Sequence, residues 1–176
     1  AIKRFSLFDL RSNISIGDSD FLKFKDEEFD LVYSWGTLHH NPDTSRAISE
    51  VYRVLKKGGQ AKIMIYHKWS IVGYMLWVRY ALMSFKPWMK LENIYSLYLE
   101  SPGTKAYSIL AAKELFSNFN DIEISTPLGH GDLLESNVGQ RHKGLSLLFM
   151  KFFLPRWFIR RFMKKSGLFM LINARK

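Results

Sequence analysis

The chain has 176 residues, 47% of them apolar, no cysteine and a formal net charge of +10. This length and composition suit one folded domain, and the absence of cysteine excludes disulfides, thiolate metal sites and cysteine nucleophiles. The basic charge indicates an anionic partner, either a nucleic acid or a lipid surface, and the first residues lack a signal-peptide pattern, so we expect a cytoplasmic protein.

The N-terminal part of the chain predicts a helix and two strands. The opening letters AIKRFSLF suit a helix, and NISIGDSD predicts a short strand over residues 13–16 that ends before Asp18. The run FDLVYSW, Phe29–Trp35, is almost continuously apolar, which is typical of a strand covered by helices on both faces. A glycine, two histidines and Asn-Pro follow, so polar chemistry begins where this strand ends.

A helix and another strand come next. Apolar residues at three- to four-residue spacing after Pro42 predict a helix with Lys56 and Lys57 in its last turn, closed by Gly58 in the left-handed conformation. Residues 61–66 then predict a strand. A strand, a helix and a strand in so few residues form a right-handed crossover, so we expect a parallel sheet here.

The remaining elements alternate helices with strands. Residues 69–101 predict one or two aromatic-rich helices divided at Pro87, and SILAAKELFSNF predicts a helix with Ser108 as its N-cap. The runs DIEIS and LFMLINARK predict two further strands. No window contains the roughly 18 uninterrupted apolar residues of a spanning helix, so we expect no transmembrane segment.

The polar residues at the strand ends predict a nucleoside site. In open parallel sheets, ligands bind beyond the carboxyl ends of the strands, because loops and helix N-termini meet there. Asp18 ends one predicted strand, and Ser34, Trp35 and Gly36 end the next. An aspartate accepts a hydrogen bond from an exocyclic amine, a backbone N–H donates to a ring nitrogen, and a glycine permits close approach. Adenine offers both that amine and that ring nitrogen.

Four ordered motifs, GDSD, FDLVYSW, LHH and RVLKKGG, resemble those of the class I S-adenosylmethionine-dependent methyltransferases, of the kind that includes the ubiquinone and menaquinone methyltransferases. The resemblance covers residues 13–67 closely and residues 108–176 in outline. It implies an α/β, Rossmann-like fold with sheet order 3-2-1-4-5-7-6, helical insertions after strands 5 and 6, and S-adenosylmethionine as cofactor.

The same resemblance implies roles for individual residues. Asp18 and Ser19 would contact the adenine, residues 34–36 would border the methionine end of the cofactor, and His40 would line the cleft. Ser19 stands where the family usually has alanine, which a backbone contact tolerates, and Lys57 stands where it usually has proline.

His40 and His67 are the candidate catalytic residues. An unperturbed histidine titrates near pH 6.5, so either ring suits the deprotonation of an acceptor hydroxyl. We expect no metal site, because the adjacent His39 and His40 point in different directions and the sequence shows no acid or further histidine at convincing ligand spacing.

Part of the family pattern is missing. Family members begin with a strand, a Gly-x-Gly-x-Gly loop and a second strand that ends in a ribose-binding acid, whereas no glycine here precedes Gly17. We therefore expect residues 1–176 to be a partial methyltransferase domain, truncated at its N-terminus and lacking strands 1 and 2. Such a chain is expected to bind the cofactor poorly, to be inactive by itself, and to expose an unpaired strand edge on Phe29–Trp35.

Residues 69–101 form a candidate substrate lid. Met75, Trp77, Tyr80 and Trp88 suit a flat or lipophilic acceptor, and inserted helices at this point can close over an acceptor pocket. The alternative is a pair of helices that only packs on the domain.

The segment 143–166 is strongly basic and predicts an amphipathic helix that starts at Pro155. Phe158, Ile159 and Phe162 occupy the apolar side, and the opposite side carries basic residues: Arg156, Arg160, Arg161, Lys164 and Lys165. This pattern favours peripheral contact with an anionic membrane. The alternative is a solvated basic face on a core-packed helix.

The sequence is compatible with three functions. The first is methyl transfer from S-adenosylmethionine to a small, lipophilic acceptor. The second is RNA or DNA methylation, which is less expected because the strand ends in Ser-Trp-Gly-Thr rather than in Asn/Asp-Pro-Pro-aromatic. The third is a degenerate methyltransferase fold that serves as a membrane-surface scaffold.

Overall fold

The computed structural model describes residues 2–133 and 155–176. Their elements in chain order are α1 Ile2–Leu7, β1 Phe29–Trp35, a 3₁₀ helix Leu38–His40, α2 Thr44–Val54, β2 Leu55–Tyr66, α3 Ile71–Trp77 continuing as a π-helix Val78–Leu82, α4 Leu91–Ile94 continuing as a π-helix Tyr95–Leu99, α5 Ile109–Leu115, β3 Asn120–Ser125, α6 Arg156–Phe162 and β4 Phe169–Arg175.

The described strands form one mixed sheet in the order β1-β2-β4-β3. β1 and β2 are parallel, as the crossover predicted, whereas β4 runs antiparallel to both of its neighbours. This order corresponds to strands 4, 5, 7 and 6 of the expected sheet, so the Rossmann-like fold class is confirmed. Within the described residues β1 is an edge strand, as expected.

One face of the sheet carries the main core. Helices α2 and α5 cover it, and the buried residues there come from both helices and from β2 and β4: Ala47, Ile48, Val51, Ala61, Ile63, Ile65, Ala112, Phe116, Met170 and Ile172. On the other face Leu31, Tyr33 and Trp35 are half-exposed or more. In the part of the chain that the structure describes, the prediction of helices on both faces of β1 therefore holds for one face.

The predicted strand over residues 13–16 is wrong. These residues have no regular structure, and Ile16 is 97% exposed. A strand exists only where a neighbour accepts and donates its backbone hydrogen bonds. No described segment pairs with residues 13–16, so their β-branched residues cannot form a strand.

The predicted end of α2 is also wrong. The helix ends at Val54, and Leu55 already has extended backbone angles because it pairs with Phe29 of β1. Lys56 therefore lies in β2, where its Nζ is 2.8 Å from a carboxylate oxygen of Asp30. Gly58 does adopt positive φ, but within β2. Sheet pairing has overridden the local helix-ending signals.

The predicted N-cap at Ser108 and the predicted break at Pro87 are confirmed. Asp43 accepts a hydrogen bond from the backbone N–H of Arg46 at the start of α2, and Ser108 accepts one at the start of α5. Pro87 lies between α3 and α4. Among the described helices, none is long and apolar enough to cross a membrane.

Candidate functional site

Gly36 turns the chain at the carboxyl end of β1. Its φ of +70° lies in the left-handed region that favours glycine, and its N–H donates to the carbonyl of Met64 in β2. A Cβ at this position would lie 3.3 Å from the Met64 Cε, so the turn is also tightly packed. The turn places the 3₁₀ helix that carries His39 and His40 beside the end of β2.

Aromatic rings line this end of the sheet. The His39 ring packs between His40 and Tyr66, with centroids 4.3 and 4.2 Å away. Tyr66 stacks on Phe169 at 6.1 Å, and Trp35 meets the same Phe169 edge-on at 5.8 Å. The ends of β1 and β2 and the start of β4 thus share one continuous aromatic wall.

His39 is fully buried, and neither of its ring nitrogens has a hydrogen-bond partner among the described residues. Burial, assisted by the neighbouring His40, lowers the pKa of His39 to about 3. The ring is therefore neutral at physiological pH. A base this weak is poorly suited to take a proton from an acceptor.

His40 is the centre of a polar network. Its Nε2 lies 3.3 Å from a carboxylate oxygen of Glu100, and its Nδ1 lies 3.2 and 3.3 Å from the hydroxyls of Ser101 and Thr104. The Tyr66 hydroxyl donates to the same Glu100 oxygen at 2.9 Å. Burial, together with this hydrogen bond, raises the pKa of Tyr66, so the phenol remains a donor.

Glu100 and Tyr66 are the site residues that sequence reasoning missed. Glu100 follows the π-helix Tyr95–Leu99, far from His40 in the sequence, and no local pattern marks it. Tyr66 closes a regular strand, so packing alone explained it. The sequence showed no acid at ligand spacing from the histidines, but the fold places Glu100 in contact with His40.

The segment around Asp18 lies beside the same strand end. The Asn41 side chain donates to the Ser19 hydroxyl at 2.6 Å and to a carboxylate oxygen of Asp20 at 2.7 Å, and Arg46 donates to the Asp20 carbonyl. Asp18 is exposed and accepts a hydrogen bond from the N–H of Asp20. The fold therefore ties this segment to the loop that directly follows His40.

Ser34 and Trp35 project to opposite faces of β1. Ser34 is half-buried on the same face as Val32, which packs on the core, whereas Trp35 is 51% exposed on the other face. Their side chains cannot contact one ligand from the same side. The predicted contact with residues 34–36 therefore requires the backbone of the Gly36 turn.

His67 has partners different from those of His40. The ring is 5% exposed and its Nδ1 lies 3.3 Å from the carbonyl of Gly167. Strand alternation turns it away from the face of Tyr66, and burial lowers its pKa. The contact with the Gly167 carbonyl is a structural one. A catalytic role for His67 stays a prediction.

The helices of residues 69–101 are anchored next to the site. The buried Tyr95 hydroxyl lies 3.0 Å from the carbonyls of His67 and Lys68 and 2.7 Å from the Ser70 hydroxyl. Of the aromatic residues predicted for a lid, Trp77 donates to the Met89 carbonyl, Tyr80 stacks on Tyr98 at 4.0 Å, and Trp88 is 75% exposed. Glu100 and Ser101 at the end of this segment contact His40, so the segment is coupled directly to the site.

The basic segment is described only in part, because residues 143–154 lie outside the described residues. Helix α6 starts after Pro155 as predicted, but only Ile159 of the predicted apolar side is buried. Phe158 is 37% exposed, and Trp157 and Phe162 are 67% and 62% exposed. The helix therefore docks through one residue and presents aromatic rings next to its arginines.

Comparisons with known proteins agree with this fold. Residues 4–63 match the model of a family described as a methyltransferase domain. The chain is 40% identical over 60 residues to phosphoethanolamine N-methyltransferase 2 of Caenorhabditis elegans, which covers 34% of this chain and 14% of that protein. It is 44% identical over 50 residues to demethylmenaquinone methyltransferase of Streptomyces avermitilis, which covers 28% of this chain and 22% of that protein.

A solved structure extends the likeness to most of the chain. It is a methyltransferase of Thermotoga maritima, described as S-adenosylmethionine-dependent and as a possible histamine N-methyltransferase. It superposes with a TM-score of 0.55 at 21% identity, over 91% of this chain and 62% of that one. At this identity the likeness shows the fold. The two curated relatives are matched over less than a quarter of their own length.

Proposed function

We propose that this chain binds S-adenosylmethionine at the carboxyl ends of β1 and β2 and takes part in methyl transfer to a small acceptor. The match of residues 4–63 to a methyltransferase domain and the fold shared with a solved methyltransferase support this proposal. The observation that carries this proposal is the convergence of three features at one sheet edge: the Gly36 turn, the His40 network and the Asp18 segment tied to Asn41. Ligands of open α/β sheets bind at such an edge.

The chain's own residues fit the cofactor by their chemistry. The exposed Asp18 carboxylate suits the exocyclic amine of adenine, and the backbone of Ser19 suits a ring nitrogen. Gly36 presents backbone without a side chain, which permits close approach by the methionine end. When bound, the cofactor supplies a sulfonium that already activates the methyl group, so the protein's main task is alignment of the acceptor.

His40 is the residue that we assign to the acceptor. It is partly exposed at the end of the aromatic wall, and its Nε2 faces Glu100. An acceptor O–H or C–H requires a base, and His39 is unsuited because its pKa is about 3. We therefore assign the proton-accepting role to His40, whose Nε2 contacts the Glu100 oxygen that accepts a hydrogen bond from Tyr66.

The acceptor that fits best is small, flat and lipophilic. Support comes from the wall formed by Trp35, Tyr66 and Phe169 and from the adjoining aromatic helices of residues 69–101, which serve as the lid in this proposal. The matched relatives include a demethylmenaquinone methyltransferase, which is named for a lipophilic quinone, and a phosphoethanolamine methyltransferase, which is named for a polar amine.

Peripheral contact with an anionic membrane is the second part of the proposal. Helix α6 exposes Trp157 and Phe162 beside Arg161, which is the composition of an interfacial helix. Each basic group near an anionic leaflet contributes on the order of 1 kcal/mol. We expect the chain to sediment with phosphatidylglycerol vesicles but not with phosphatidylcholine vesicles.

A matched pair of variants tests this contact. Trp157→Ala should weaken vesicle binding severalfold, whereas Phe85→Ala, which removes an 87% exposed ring outside α6, should not. Equal behaviour of the two variants would contradict a role for α6. Salt-sensitive binding of transfer RNA without vesicle binding would favour the nucleic-acid alternative.

Photo-crosslinking with methyl-labelled S-adenosylmethionine tests the cofactor site, because a covalent readout captures weak binding. We expect label in the peptide that contains Gly36, and we expect unlabelled S-adenosylhomocysteine to suppress it. Asp18→Asn should reduce labelling about tenfold, since hydrogen bonds to charged groups contribute about 1.5–3 kcal/mol. Asp9→Asn, which changes another exposed aspartate, is the control. Label that resists competition would contradict the site.

A further inference from the structure

We propose that His39, His40 and Glu100 form a binding site for a divalent first-row transition metal ion, with zinc as the expected occupant. The site lies immediately beyond the carboxyl end of β1. It is a property of these side chains alone and does not depend on the proposed methyl transfer.

The geometry of the three side chains is close to that of a metal site. One ligand atom from each residue lies within 4.8 Å of the other two. Atoms at the corners of a triangle with 4.8 Å sides are about 2.8 Å from its centre. Zinc bonds to nitrogen and oxygen are about 2.0–2.2 Å long, so each ligand atom needs to move by about 0.8 Å at most. The 3.3 Å between His40 Nε2 and Glu100 is already typical of two ligands on one ion.

A second observation points to the same ligand. His39 is 0% exposed, and both of its ring nitrogens lack hydrogen-bond partners among the described residues. A buried imidazole without hydrogen-bond partners is destabilising, because its nitrogens lose their hydrogen bonds to water and gain none in the protein. A metal ion that accepts the lone pair of one nitrogen removes part of that penalty and explains why a polar ring occupies this position.

The donor set selects the class of metal. Two imidazoles and one carboxylate favour zinc, iron or cobalt over magnesium and calcium, which prefer oxygen ligands. A two-histidine, one-carboxylate set leaves a coordination position for water, as in catalytic zinc sites. The Glu100 side chain is 57% exposed, so that position can face solvent. The Tyr66 hydroxyl donates a hydrogen bond to the Glu100 carboxylate and so orients it.

Metal binding and the proposed role of His40 both require an unprotonated ring nitrogen of His40. A bound zinc ion would therefore compete with proton transfer by His40, and we expect zinc to inhibit where free His40 is required. The second nitrogen of His39 has no partner among the described residues, so we expect micromolar rather than nanomolar affinity.

Calorimetric titration of zinc chloride into untagged, metal-free 176-residue protein tests the proposal. We expect one ion per chain. Changing a residue that only supports a ligand costs about 10–100-fold in metal affinity, so His40→Gln and Glu100→Gln should each cost at least about 100-fold and Tyr66→Phe about tenfold. His130→Gln, which changes an exposed histidine outside the cluster, should leave affinity unchanged.

X-ray absorption spectroscopy of the zinc-loaded wild-type protein identifies the zinc ligands without any variant. The expected spectrum contains two imidazole ligands and additional oxygen ligands. A shell with fewer than two imidazoles, or wild-type binding weaker than about 100 μM, which is above the range of specific structural sites, would overturn the proposal. So would unchanged affinity in both His40→Gln and Glu100→Gln. Because cofactor and acceptor are absent from these measurements, failure here leaves the methyl-transfer proposal untouched.

Discussion

Gly73→Ala tests the packing that joins the helices of residues 69–101 to the sheet. Gly73 lies in α3, and a Cβ added there would be 2.1 Å from the Tyr95 hydroxyl oxygen and 2.7 Å from its Cζ. Real atoms do not approach so closely. Since Tyr95 is fully buried, its ring must shift as a whole, and α3 must separate from α4.

The expected loss of stability follows from what the shift breaks. The Tyr95 hydroxyl shares its one proton between the carbonyls of His67 and Lys68 and accepts from the Ser70 hydroxyl, so it makes two hydrogen bonds that contribute about 1 kcal/mol net each. Overpacking adds about 1–3 kcal/mol, whereas alanine gains about 1 kcal/mol over glycine within a helix. We therefore expect the free energy of unfolding to fall by about 2–4 kcal/mol.

Urea denaturation followed by circular dichroism measures this loss. Gly131→Ala is the matched control, because a Cβ there meets no atom within 4 Å, and it should change stability by less than about 0.5 kcal/mol. Combining Gly73→Ala with Tyr95→Phe should cost less than the sum of the two single changes, since both disturb one contact. A neutral or stabilising Gly73→Ala would refute the packing of Tyr95 against α3.

Three further predictions concern the site and its supports. Burial lowers the folded-state pKa of His39 to about 3, below its ordinary value near 6.5. Between these two values the unfolded chain binds a proton that the folded chain does not, so the free energy of unfolding falls by about 1.4 kcal/mol for each pH unit below 6.5. His39→Phe should remove this slope. Arg53 donates to Glu50, Asp26 and two backbone carbonyls, so Arg53→Met should speed hydrogen exchange in residues 22–26, whereas Lys56→Met at an exposed ion pair should not. Asn41→Ala should speed exchange in residues 18–20; unchanged exchange would show that its two side-chain hydrogen bonds do not hold that segment.

Elements with strong local signals were predictable from the sequence. The spacing of Ile48 and Val51 places one apolar face on α2, and Asp43 and Ser108 cap their helices by side-chain hydrogen bonds to nearby N–H groups. The short-range pattern is enough in such cases, because the interactions that form the element lie within one or two turns.

Predictions failed where the deciding interaction is distant. Residues 13–16 have the composition of a strand, yet a strand depends on a neighbour that local sequence does not supply. The end of α2 was misplaced because Leu55 pairs with Phe29 across the sheet. Both failures have the same physical cause, since long-range pairing overrides weak local preferences.

The candidate site was predictable in position but not in detail. The carboxyl ends of parallel strands place Gly36 and His40 at one edge whatever the side chains are. Which histidine is buried, and that Glu100 contacts the exposed one, depend on how residues 69–101 return to the sheet. No periodic pattern in the sequence encodes how residues 69–101 pack back against the sheet. His40 was therefore predicted as a site residue, whereas its partner Glu100 was not.

A titration followed by nuclear magnetic resonance shows whether this sheet edge holds part of an S-adenosylmethionine site. Millimolar S-adenosylhomocysteine added to ¹⁵N-labelled chain should shift the amide signals of residues 18–20, Gly36 and His40 in one weak, saturable process. The absence of shifts at these residues, or saturable shifts confined to β3 and α6, would contradict a cofactor site at the end of β1.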